Sequence, residues 1–81
     1  MSPRVFTEHG YRVVIYPNDH SPAHVHVIHA DGKARVKLDP VELVNSWGFN
    51  TREIGDILDM IEDHQAELLA KWDELHPGSE E

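Results

Sequence analysis

The sequence predicts an α+β domain: a small antiparallel sheet of about four strands, built as two hairpins, followed by a short and a long C-terminal helix packed on one face. Three observations predict it. β-Branched and aromatic residues before residue 38 fall in short runs separated by turn residues. Two capping patterns follow, Asp39-Pro40-Val41-Glu42 and Asn50-Thr51-Arg52-Glu53. From Ile54 onward, apolar residues recur at spacings of three and four.

Residues 4–16 read as two strands joined at His9-Gly10, where glycine supplies the positive φ of a tight hairpin turn. Pro17 to Pro22 is a loop, because two prolines and an Asn-Asp pair break regular structure. Residues 24–29, HVHVIH, form a third strand; Asp31-Gly32 is a turn, and Ala34–Leu38 a fourth strand. Asp39 caps a short helix with Val41 and Val44 as its apolar ridge and Gly48 at its exit. Asn50 caps a second helix of about 24 residues, a rod of about 36 Å. Its stripe is Ile54, Leu58, Ile61, Leu68, Trp72 and Leu75, with Gln65 filling the row. His76-Pro77-Gly78 stops it, so residues 1–78 form one domain and 79–81 a disordered tail.

Composition narrows the function. The chain has 81 residues and no cysteine, which excludes a disulfide scaffold and thiol chemistry. It has no apolar run of membrane-spanning length, and its first residues have no signal-peptide pattern, so a cytoplasmic protein without membrane contact is expected. The formal charge of −8 argues against broad coating of nucleic acid. That charge is divided. Residues 1–38 hold five bases against three acids and five of the seven histidines, whereas residues 39–81 hold twelve acids against Arg52 and Lys71.

The hairpin register sorts the histidines. A turn at Asp31-Gly32 pairs Ile28 with Arg35, Val27 with Val36, His26 with Lys37 and Val25 with Leu38. Val25, Val27, Ala34, Val36 and Leu38 then share the core face, and His24, His26, Ile28, Arg35 and Lys37 the opposite one. His20 stands just before, on the proline-bounded loop. Two chemistries suit such a cluster. In metal-free acid–base work on a phosphodiester, His20, His24, His26 and Lys37 are the catalytic candidates, with Arg35 and Tyr16 binding substrate. No cofactor is then needed. In the alternative, His20, His24 and His26, with Asp19 as a further candidate, ligate Zn or Ni, although the Lys37 ammonium opposes a cation there. His64 falls beside the helical stripe. It is either a half-buried histidine at the helix–sheet seam or, with Trp72, a partner contact. Trp47 and Trp72 are expected as core or interface anchors rather than base-stacking platforms, and His9 and His76 as ordinary turn and exit residues.

The run Asn18-Asp19-His20-Ser21-Pro22-Ala23-His24-Val25-His26-Val27 resembles the signature of DUF4160, a small bacterial family of unknown function. Leu38-Asp39-Pro40-Val41-Glu42-Leu43, Gly48-Phe49-Asn50 and Asp63-His64…Leu68-Leu69…Trp72 also match. The resemblance covers about residues 3–76. Ala23 stands where a second proline is usual, and Asp63 where Glu is usual. The resemblance implies a gene pair of toxin–antitoxin type, with this chain as the toxin and an antitoxin-like small protein as partner; by analogy with other small α+β toxins, the expected target is RNA or the translation apparatus. It leaves a homodimer open, as well as a non-catalytic role in which the acidic helix docks a basic partner.

Overall fold

The computed structural model describes residues 4–16, 20 and 22–76. The expectations placed on Asp19, on loop residues 17, 18 and 21, and on residues 77–81 lie outside the described residues. Five strands form an antiparallel meander in the order β1 (Arg4–Glu8), β2 (Tyr11–Val14), β3 (His24–His29), β4 (Gly32–Leu38) and β5 (Val41–Trp47). Two helices follow, α1 (Thr51–Asp63) and α2 (Gln65–Leu75). An α+β domain with its helices on one face of an antiparallel sheet is what the sequence led us to expect, but three elements differ.

First, the segment expected as a short helix is β5. It leaves β4 through a tight turn at Asp39-Pro40, whose peptide is cis, and sets Leu38 opposite Val41. A helix of eight or nine residues is marginal by itself. As a strand, the same residues pair along the open edge of β4, and Val41, Val44 and Trp47 suit a pleated surface. Second, the turn between β3 and β4 is Ala30-Asp31, not Asp31-Gly32. His24 therefore pairs with Lys37, His26 with Arg35 and Val27 with Ala34. The slip is two residues, so every side chain keeps its expected face. Gly32 is instead a buried strand residue, and a Cβ there would lie 2.5 Å from the Phe49 ring. Its absent side chain makes room for Phe49. Third, the long helix is broken at His64, which ends α1 and precedes α2.

Other local readings hold. His9 (φ 53°) and Gly10 (φ 82°) form the β1–β2 turn. Asn50 caps α1 with a full capping box: its side chain accepts from the Glu53 N–H at 2.8 Å, and its own N–H donates to Glu53 Oε1 at 2.9 Å.

The core lies between sheet and helices. Val13, Ile15, Val25, Val27, Val36 and Leu38 are fully buried against Ile57, Ile61 and Leu68. Because the helices cover only this face, the other face of the sheet carries Arg12, His24, His26, Ile28, Lys33, Arg35 and Lys37 outward.

Candidate functional site

Alternation along β3 and β4 builds the site. His24 and His26 stand two residues apart, so both project to the uncovered face, with Lys37 and Arg35 directly across. The His24 and His26 rings are 5.2 Å apart and nearly edge to face. Tyr16, just past β2, meets His26 edge-on at 4.9 Å. Tyr11 is on the other face, against His29 and Phe49.

Two concavities adjoin on this face and share Arg35. One, of about 310 Å³, is lined by His20, Pro22, His24, Arg35, Lys37 and Val44. The other, of about 240 Å³, includes Tyr16, His26, Ile28, Arg35, Asn45 and Trp47 in its lining. The structure thus brings His20, His24, Arg35 and Lys37 together, and places His26 and Tyr16 in the neighbouring hollow.

Local partners define the chemistry available. His24 Nδ1–H donates to the Pro22 carbonyl at 2.9 Å. A carbonyl only accepts, so Nδ1 carries the proton and the lone pair of the neutral ring sits on Nε2. Lys37 is held by Glu42 across the β4–β5 pair, at 3.1 Å. Among the described strand residues of this face, Glu42 is the only acid. The helices have the opposite character: residues 51–75 carry eight acids against Arg52 and Lys71. Burial first, and then the carboxylates of Glu53 and Asp56, hold the Tyr11 phenol above its ordinary value. The molecule is a two-layer dipole, cationic on the bare sheet and anionic on the helices.

The His24 ring also reaches the rim of the helical layer, 5.3 Å from the Trp72 ring. Trp72, named from the sequence as a partner contact, is only 3% exposed and is part of the core. It stacks on His76 at 3.8 Å, and His76 donates from Nδ1 to the Trp72 carbonyl. His76 is therefore a buried packing residue, not a plain helix exit. His64 sits at the helix–sheet seam between Glu8 and Glu67, 3.0 Å from each, with Phe6 against its ring.

Among the described residues, no three histidines or carboxylates gather in a way that could hold a metal ion. Trp47 is the residue that sequence reasoning missed. It is 62% exposed on the histidine face, not in the core. Val41 and Leu43 point inward, so strict alternation would send Asn45 and Trp47 inward too. A bulge at Val44 resets the pattern: Leu43 pairs with Val36, but Asn45 pairs with Arg35 and Trp47 with Lys33. A bulge leaves no mark in a segment read as a helix.

Among the described residues, no helix is long and apolar enough to cross a membrane. No curated protein and no solved structure matches the chain. The family model for the domain of unknown function DUF4160 matches residues 10–73. That match takes in the β2–β5 sheet, both helices as far as Asp73, and every residue of the two concavities, so the chain belongs to the DUF4160 family.

Proposed function

We propose that this protein acts on RNA at the bare face of its sheet, as the toxic member of a two-protein module. The observation that carries the reading is the shared hollow of His20, His24, Arg35 and Lys37, on the cationic face of an otherwise acidic molecule. Paired imidazoles with flanking cations suit metal-free cleavage of a phosphodiester. In that step His24 Nε2 takes the proton of a ribose 2′-hydroxyl, and the 2′-oxygen bonds to phosphorus. The bond from phosphorus to the 5′-oxygen breaks, and protonated His20 supplies the proton to that leaving oxygen. Arg35 and Lys37 offset the charge gathering on the phosphoryl oxygens, while His26 and Tyr16 flank the strand. The toxic role and the cognate small partner follow from the family resemblance, and the acidic helices offer a surface of opposite charge for such a partner.

The test has two arms. Expression of the wild type is expected to arrest growth, and purified protein to leave 2′,3′-cyclic phosphate and 5′-hydroxyl ends on RNA in the presence of a chelator. The His24→Ala/His26→Ala double variant is expected to do neither. Equal effects from folded wild type and double variant would remove this site from the mechanism.

A further inference from the structure

Deepening the RNA reading, on which it rests, we infer that the hollow beside the histidine pair is a nucleobase subsite with Trp47 as its stacking wall. Four observations converge on it. Trp47 is 62% exposed, an unusual state for the largest apolar side chain. It is turned outward by the Val44 bulge, a device that re-aims side chains beside functional sites. Its hollow has the apolar side chain of Ile28 and a second aromatic in Tyr16. At about 240 Å³ it is smaller than the roughly 300–1,000 Å³ of sites that take whole drug-sized ligands, which suits a single ring system.

Charge selects the occupant. Lys33 and Arg35 line the hollow, so the ring it takes is one that carries an anion. A symmetric pairing of two copies through this face would set the same cations against each other. A base on its sugar-phosphate strand meets both demands: its π-face lies on Trp47 and its phosphate reaches Arg35, which the acid–base hollow shares. Asn45 lines the same hollow, and its Oδ1 is buried with no hydrogen-bond partner among the described residues. Rotation of the Asn45 side chain toward the hollow would bring that oxygen to the N–H edge of a base.

The experiment compares a single-stranded RNA of about eight nucleotides with an abasic ribose-phosphate strand of equal length, a span within the range that single-strand-binding domains cover. Wild type is expected to bind the base-bearing strand about 5- to 150-fold more tightly. Trp47→Ala should lose that preference and bind both as wild type binds the abasic strand, whereas Trp47→Phe should keep most of it. RNA should quench tryptophan emission in wild type but not in Trp47→Phe, where buried Trp72 is the sole tryptophan. If folded Trp47→Ala keeps the preference, the subsite is overturned and the RNA reading stands. If wild type binds neither strand, the RNA reading falls and the subsite with it.

Discussion

His64 faces a carboxylate oxygen from each ring nitrogen, and ionised carboxylates only accept, so both bonds form together only when the ring is an imidazolium. The hydrogen bond to Glu67, then that to Glu8, raise its pKa above the ordinary 6.5, against a smaller opposing effect of burial. A raised folded-state value gives a contribution fully present below 6.5 and lost as pH rises through the folded value. Thermal melts of wild type and His64→Gln are therefore expected to differ most below pH 6.5 and to converge at higher pH. The difference should be about 1 kcal/mol, less than is usual for charged hydrogen bonds because Glu67 is 60% exposed. That is a shift of about 4–8 °C for a domain of this size. A gap that widens with pH would refute the imidazolium bridge. Glu42 makes the converse case. It neutralises Lys37 within the hollow, so Glu42→Gln should tighten RNA binding by a few fold in a titration, by removing repulsion of phosphate. Weaker binding would show that Lys37 needs Glu42 to position it.

At the scale of elements, the β1–β2 hairpin and the α1 cap were legible because each rests on residues close in sequence. His9-Gly10 names its own turn, and Asn50 with Glu53 its own helix start. Asn50→Ala should cost about 1 kcal/mol in chemical denaturation. Elements whose residues fit two local structures were not legible in that way. Asp39-Pro40-Val41-Glu42 serves a helix cap or a hairpin turn equally well, and the open edge of β4 decides between them. Gly32 reads as a turn residue until Phe49 is seen against it. Gly32→Ala should therefore destabilise the fold by about 1–3 kcal/mol through overpacking. A neutral result in the same denaturation assay would show that the Phe49 ring moves aside at little cost.

At the scale of the whole molecule, the two layers carry opposite charge, and only the sheet face is suited to a polyanion. On the proposed RNA reading, Lys33 and Arg35, with Lys37 once phosphate displaces Glu42, would make about three phosphate contacts. The logarithm of RNA affinity should then fall with the logarithm of salt concentration with a slope near −2. Arg35→Glu should flatten that slope and weaken binding to every sequence alike, since Arg35 borders both hollows. A slope near zero would mean that the charge on this face contacts no phosphate. The acidic helices should meanwhile repel the strand, which restricts it to one side of the molecule.

The order of the strands up to Leu38, the capped helix and the two-faced character of β3 and β4 were written in the sequence alone. The reason is that side-chain alternation has a period of two and survives a two-residue slip in pairing. The fifth strand, the break at His64 and the outward turn of Trp47 were decided only by tertiary structure. The fifth strand takes the free edge of β4, His64 at the break bonds the Glu8 carboxylate of β1, and a bulge places one unpaired residue between Leu43 and Asn45. No local pattern encodes a partner that the chain meets only after it has folded.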